Sequence, residues 1–364
     1  MKISYISVFH DNTGYSHAAQ NNVLGLDAVG IDVVCRSVSL NNANIPPKER
    51  ILKLEEKNLS GVTHVIQHYL PHMFIWKSGV KNIGIFHTET SSIRPIGWQY
   101  HCNLMDAIIV SCEENLKTLK NSGVTKPVFF APIPLDEKFY QSTPDYFDFG
   151  PYNNHYKFYA IGDWSARKNY ESLIKEYFLR YTKNDKVVLI LKTYVGGQTA
   201  EKSREIILAE INKIKMNMRM HTVNVYPPII LITDQVTENQ MLALHQQCDC
   251  FITVEKGAAC CLPMVDAFAV GNSVIAPNKG GQTNYFNTNS NRIKLLSTEL
   301  ENCYGMGNAY PGLYTSKETW YNPKIELPEK IESTKEKDPS RFDYINNFGT
   351  KNVGKVWENI LRNI

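Results

Sequence analysis

The sequence predicts an α/β chain of two doubly wound domains, on three observations. Apolar runs of strand length alternate with helix-period segments along most of the chain. Its 364 residues amount to roughly two domains at about 150 residues each. The alternation lapses at 139–154 (FYQSTPDYFDFGPYNN), rich in Pro, Gly, Asn and aromatics and poor in aliphatics, which places a domain boundary there. Parallel strands need crossovers, so strand–helix alternation implies parallel sheets wrapped by helices.

In the first half, strands are expected at 3–9, 31–38, 63–68, 82–86, 107–111 and 128–132, with helices such as 16–29 and 113–122. In the second half they are expected at 157–161, 187–192, 223–226, 250–254 and 273–276. The helix at 171–181 sets Leu173, Ile174, Tyr177, Phe178 and Tyr181 on one face, and another spans 201–218. Thr237-Glu238-Asn239-Gln240 is a capping-box pattern, followed by the apolar stripe Met241, Leu244 and Cys248. Pro263 suits position N1 of a further helix, which stops at Gly271. From 297 to 338 the alternation is lost among Pro311, Pro323, Pro328 and a Lys/Glu run, and a solvated surface excursion is expected. A last helix, 352–364, has Val353, Val356, Trp357, Ile360 and Leu361 at helical spacing.

Composition narrows the function classes. With 43% hydrophobic and 21% charged residues the chain is an ordinary globular protein, which excludes disorder, collagen and coiled coil. A formal charge of +3 does not by itself argue for nucleic acid or an anionic membrane. No signal-peptide pattern is read at the N-terminus, and no run reaches the ~18 apolar residues of a membrane span. The eight cysteines lack framework spacing, and Cys248-x-Cys250 and Cys260-Cys261 have no His pair at ligand spacing. Reduced thiols, a cytoplasmic location and no metal are expected.

Ligands of open α/β sheets bind beyond the carboxyl ends of strands. The loop after the first strand is His10-Asp11-Asn12-Thr13-Gly14-Tyr15-Ser16, opening a helix whose N-terminus favours an anion. After the fourth comes His87-Thr88-Glu89-Thr90-Ser91-Ser92, where a pocket histidine and a core histidine are equally good readings. In the second half, Gly162-Asp163-Trp164-Ser165-Ala166-Arg167-Lys168-Asn169 sets an Arg fork beside a Lys point charge, suited to a pyrophosphate or to a solvated basic turn. At 255–266 the small residues Gly257, Ala258 and Ala259 let a ligand approach the backbone, and Asp266 can accept from a diol such as ribose. Lys279-Gly280-Gly281-Gln282-Thr283 is another small polar turn. Neither a G-x-G-x-x-G fingerprint nor a Walker P-loop is present.

Taken in order, these loops resemble the family-4-like glycosyltransferases of the GT-B fold. The resemblance runs through Gly162, Lys168-Asn169, Lys192-Thr193, Gly257, Leu262-Pro263, Asp266-Ala267, Gly271-Asn272-Ser273-Val274-Ile275-Ala276 and Gly280-Gly281. It covers about 157–290 well, and the first half more loosely through Gly14, the strand order and His87. The resemblance implies two Rossmann-like domains facing each other across a cleft: 1–145 for the acceptor, 146–345 for the nucleotide sugar, and a helix at 346–364 crossing back. It implies transfer from a nucleoside-diphosphate sugar to a cytosolic acceptor, with retention, without metal, and with no cofactor beyond that co-substrate. Arg167, Lys168 and the amides near Gly14 would face the diphosphate, Asp266 the ribose, and Gly280, Gly281, Gln282 and Thr283 the nucleotide. Gly162, Lys192, Gly257, Ala258 and Ala259 complete the implied donor site, and His87 would contact the sugar or the reacting centre. Asn12, Thr13, Tyr15 and Glu89 are the acceptor-side candidates.

The family's two loop glutamates fall at Ala258 and Asp266, and its arginine after the strand glycine falls at Asp163, leaving Arg167 to stand in. Ala258 cannot bind a sugar hydroxyl, and Glu255 lies three residues too early for a simple substitute. An unusual donor such as a pentose fits this loss. The resemblance implies a glycan or lipid-linked sugar as acceptor; the alternative is a hydroxymethylated DNA base, as for phage-type enzymes. For DNA, Lys48, Arg50, Lys53 and Lys57, or Lys213, Lys215, Arg219 and His221, would track phosphates; otherwise these are solvated helix faces. Two further readings are a sugar-nucleotide-binding protein without turnover and a GT-B-fold sugar-nucleotide epimerase.

Overall fold

The computed structural model describes residues 1–40, 44–220, 225–306, 313–329 and 336–364. They form two units, one of Met1–Lys138 with Asp343–Ile364 and one of Phe139–Phe342.

The first unit holds β1 (Lys2–Ser7), α1 (Gly14–Ala28), β2 (Asp32–Ser37), α2 (Glu49–Glu55), β3 (His64–His68), β4 (Lys81–Ile85), α3 (Trp98–Cys102), β5 (Ala107–Val110), α4 (Glu113–Asn121) and β6 (Val128–Phe130). Its six strands lie parallel in the order β2-β1-β3-β4-β5-β6. The chain passes between the units through α5 (Glu137–Gln141) and later α10 (Arg341–Phe348), then ends in α11 (Thr350–Arg362). Val353, Trp357, Ile360 and Leu361 of α11 join Val23 and Leu26 of α1 in the core of this unit. Each such buried side chain contributes about 1.5–3 kcal/mol. The two helices approach so closely that a Cβ on Gly354 would lie 2.1 Å from the Gly25 carbonyl oxygen.

In the second unit, β7 (Tyr156–Asp163), α6 (Tyr170–Arg180), β8 (Val187–Tyr194), α7 (Ala200–Met218), β9 (Ile229–Ile232), α8 (Glu238–Gln247), β10 (Cys250–Ile252), α9 (Leu262–Ala269), β11 (Ser273–Pro277) and β12 (Ile293–Leu296) follow one another. This sheet is also parallel throughout, in the order β12-β11-β10-β7-β8-β9. Leu173, Ile174, Tyr177, Phe178 and Tyr181 pack together in its core, as the helical spacing predicts. The capping box at Thr237 forms with both of its hydrogen bonds, Gln240 N to Thr237 Oγ1 and Thr237 N to Gln240 Oε1.

Three expectations need correction. The strand expected at 223–226 begins outside the described residues, and the strand found is β9, three residues past Tyr226. Pro227 and Pro228 offer no N–H to a ladder, so pairing starts after them, and Tyr226 packs against Phe178 at 4.6 Å instead. The segment 297–338 is no solvated excursion where it is described: β13 (Thr298–Asn302) and β14 (Thr319–Pro323) form an antiparallel hairpin, and Cys303, Met306, Trp320 and Leu327 are buried. Its alternation misleads because Glu301 turns inward to Lys256 at 3.0 Å while Leu300 is 67% exposed. Pro263 occupies the second rather than the first residue of α9.

Candidate functional site

In the second unit the chain runs outward from β7 to β8 and β9, then returns to pair β10 on the other side of β7. The loops after β7 and β10 therefore leave the sheet at its topological switch point, where open α/β sheets bind ligands. Trp164 stacks on Tyr170 at 5.1 Å in the first loop, and Asn169 takes a left-handed φ of 58° to turn into α6. Cys261 does the same before α9, with φ 62°. Backbone hydrogen bonds tie three loops together: Lys256 N to Arg167 O and Gly281 N to Ala258 O, both 2.8 Å. Gly162, Arg167, Lys168, Gly257, Ala258 and Gly281, scattered over the sequence, thus come to one place.

The charges there are paired. Glu255, with its side chain 2% exposed, accepts from Lys168 Nζ at 2.6 Å and Arg167 NH1 at 3.1 Å through Oε2, and from Thr253 Oγ1 at 3.0 Å through Oε1. Arg167 NH1 also donates to Gly257 O at 2.8 Å, and its NH2 lies 3.5 Å from Asp163. Burial alone would raise the Glu255 carboxyl, but the Lys168 and Arg167 charges outweigh it and hold it down to about 2. Burial opposes the charge on Lys168 too, and Glu255 overrides it, raising the ammonium above its ordinary value. Asp163 is likewise held low by Arg167 and Lys168 against its burial. Gly162 makes this possible: a Cβ there would sit 2.8 Å from Lys168 Cε, in the path of the side chain.

Asp266 lies one turn into α9, where its Oδ1 accepts from Tyr140 Oη at 2.6 Å. Behind it, Asn272 Nδ2 donates to Tyr159 Oη, which bonds His245 Nδ1, both at 2.8 Å. On its other edge, His245 Nε2 lies 3.8 Å from Asp266 Oδ2. Lys192 ends up buried opposite Ile161 of β7, and burial lowers its ammonium. Gln282 donates to Pro277 O and Lys279 O, while its Oε1 is buried with no partner among the described residues. Thr283 donates back to Gly280 O.

In the first unit, His87 belongs to a chain of hydrogen bonds. Asn22 Nδ2 donates to Tyr5 Oη at 3.1 Å, Tyr5 Oη meets His68 Nδ1 at 2.9 Å, His68 Nε2 meets His87 Nε2 at 2.8 Å, and His87 Nδ1 meets Ser111 Oγ at 2.9 Å. Two imidazoles thus lie between the Tyr5 and Ser111 hydroxyls in one continuous buried chain. Both imidazoles are neutral, burial pushing His87 down to about 4 and His68 well below its ordinary value. The same Asn–Tyr–His order thus backs the first strand of each sheet. The His87 N–H also donates to Tyr15 Oη at 3.2 Å.

Asn12 and Thr13 serve α1 locally. Thr13 caps Ser16 N and is held by Asp11 Oδ1, and Asn12 Oδ1 meets His17 Nε2 at 2.9 Å. Gly14 has open space where a side chain would be, and Glu89 is half-buried. A hollow of about 260 Å³ beside this loop is lined by His10, Asp11, Ser37, Ser39 and Leu40 among others.

The basic residues singled out on and beside α2 are not an open positive patch. Lys48 pairs with Asp136, Arg50 with Asp27, Lys53 with Glu49, and Lys57 with Asp32. Lys213 approaches Glu210, Lys215 lies over the Phe178 and Tyr226 rings, and His221 falls outside the described residues. No described helix is long and apolar enough to cross a membrane.

Sequence reasoning missed the partners: Glu255 as counter-ion, Tyr140 and His245 against Asp266, and His68 against His87. An acid directly after an apolar strand and ahead of a small-residue loop was the available signal for Glu255. The others are joined across the fold and leave no local pattern.

No protein-family model matches the chain, and no curated protein matches its sequence. Solved structures do match over its full length. Sucrose-phosphate synthase of Thermosynechococcus elongatus superposes with a TM-score of 0.62 at 12% identity, over 100% of this chain and 98% of that one. HepE of Anabaena in complex with UDP and glucose gives 0.63 at 10%, over 100% of both chains. The E. coli trehalose-6-phosphate protein bound with UDP-2-fluoro glucose gives 0.60 at 11%, over 100% and 99%. With its two parallel six-stranded sheets and these full-length matches, the chain has the fold of the GT-B glycosyltransferases.

Proposed function

We propose that the chain is a glycosyltransferase that moves a sugar from a nucleoside-diphosphate sugar to a glycan or lipid-linked acceptor, with retention and without a metal ion. The observation that carries this reading is the meeting of Arg167, Lys168 and the small-residue loop 257–261 at the switch point of the second sheet. The neighbours solved with UDP, UDP-glucose or UDP-2-fluoro glucose support a nucleotide-sugar donor. In this reading the second unit takes the nucleotide sugar and the first the acceptor. Arg167 and Lys168 stabilise charge that develops on the leaving diphosphate. Asp266, oriented by Tyr140 and His245, accepts from the ribose hydroxyls. Lys192, Gly280, Gly281 and Thr283 border the nucleotide. His87, held between His68 and Ser111, contacts the donor sugar. Ala258, which has no group to offer a hydroxyl, supports a trimmed donor such as a pentose. The carboxylate partners of α2 favour these acceptors over the phosphates of DNA.

Thermal unfolding against UDP, GDP, ADP and their sugars tests the reading. A diphosphate at a hundred times its dissociation constant adds about 2.7 kcal/mol, and Lys168→Ala abolishes the shift. If no diphosphate stabilises the chain, the donor reading is wrong. A second reading, donor binding without turnover, draws on Ala258 and on the pairing of Arg167 and Lys168 with Glu255. Donor hydrolysis and transfer to an acceptor panel separate the two.

A further inference from the structure

We infer that Glu255 is a specificity-determining residue of the donor site, an internal anion seated on the Arg167–Lys168 pair, so that a diphosphate binds by competing with a carboxylate already in place. The inference rests on the donor reading above and adds to it the charge that this chain presents to its ligand.

The geometry carries it. Glu255 Oε2 lies within hydrogen-bond distance of both cations at once, 2.6 Å from Lys168 Nζ and 3.1 Å from Arg167 NH1. Asp163 stands 3.5 Å from the other side of the guanidinium. Two cations and two carboxylates make a cluster without net charge, enclosed where the side chains of Glu255, Arg167 and Lys168 are 2%, 13% and 15% exposed. In so little water a charge–charge contact is several times stronger than at the surface. Glu255 is also anchored: Thr253 Oγ1 holds its second oxygen at 3.0 Å, and the backbone bond from Lys256 N to Arg167 O, 2.8 Å, fixes the residue after it against the cationic loop. The carboxylate therefore belongs to a built arrangement, and Gly162 keeps open the path by which Lys168 reaches it.

It follows that the pair attracts a ligand weakly in proportion to the ligand's negative charge, and that the rest of the site selects by shape and hydrogen bonding. Replacing Glu255 by its neutral isostere restores the missing positive charge and makes binding depend steeply on ligand charge.

The experiment is calorimetric titration of wild type and Glu255→Gln with uridine, UMP and UDP at one ionic strength. UDP affinity rises about tenfold or more in the variant, UMP rises less, and uridine is unchanged. A role confined to folding would shift all three ligands alike, and an equal change across the series overturns the inference. So does UDP binding that needs Lys168 yet is no tighter in Glu255→Gln. If UDP binds neither protein, the donor reading itself falls and this inference falls with it. Should Glu255→Gln not fold, Arg167→Gln/Glu255→Gln is compared with Arg167→Gln on the same series, where a steeper dependence on charge in the double variant supports the inference and an unchanged one refutes it.

Discussion

Glu255→Gln should also change how the second unit responds to acid, and the size of the change follows from the structure. The carboxyl sits at about 2 in the folded chain against an ordinary 4.5. At ~1.4 kcal/mol per pH unit, that depression is linked to about 3 kcal/mol of stability. Because the folded value is the lower one, this stability is fully present above about pH 4.5 and is lost as the pH falls toward 2. By pH 3 about 2 kcal/mol of it has gone. The glutamine variant cannot lose what it does not have. It should be the less stable protein at pH 7, leaving Arg167 and Lys168 partly unpaired, and the gap should narrow by about 2 kcal/mol between pH 7 and pH 3. Urea unfolding at each pH, followed through Trp164 where it stacks on Tyr170 beside the site, reads the difference. Comparing variant with wild type cancels the other carboxylates that titrate in this range. A gap that stays constant from pH 7 to pH 3 would refute an ionised, paired Glu255.

Two glycines predict opposite outcomes for the same substitution. Gly354→Ala places a Cβ 2.1 Å from the Gly25 carbonyl oxygen, so α11 must lift from α1. Although alanine is the better helix former by about 1 kcal/mol, a loss of about 1–3 kcal/mol or more is expected, read as a lower unfolding midpoint through Trp357; an unchanged or higher midpoint contradicts the packing. Gly14→Ala meets nothing within 4 Å at the start of α1, and stability should rise by about 0.4–1 kcal/mol in the same assay. A fall there would show that the space is not open.

Much of the fold was legible because parallel sheets write themselves as apolar runs. All six strands of the first sheet lie within two residues of where the runs place them. The second sheet was harder at its margins. The apolar run places β9 before two prolines instead of after them, and β12 (IKLL) is too short and mixed to stand out. The β13–β14 hairpin is illegible because its half-buried Glu301, the counter-ion of buried Lys256, breaks the apolar alternation. Within the site, Arg167 and Lys168 could be read from a local motif. The carboxylate that neutralises them comes 87 positions after Lys168, and only the β7–β10 pairing brings the two together.

The return of α11 to the first unit sets an order of assembly. Residues 343–364 emerge from the ribosome only after the whole of 139–342. At about 5–20 residues per second that delay is on the order of ten to forty seconds, long enough for the second unit to fold first. Throughout it, Val23 and Leu26 on α1 lack the cover that Trp357 and Leu361 later provide. The unit begun first is thus the one finished last, and its unfinished apolar face is the surface on which chaperones should be found during synthesis.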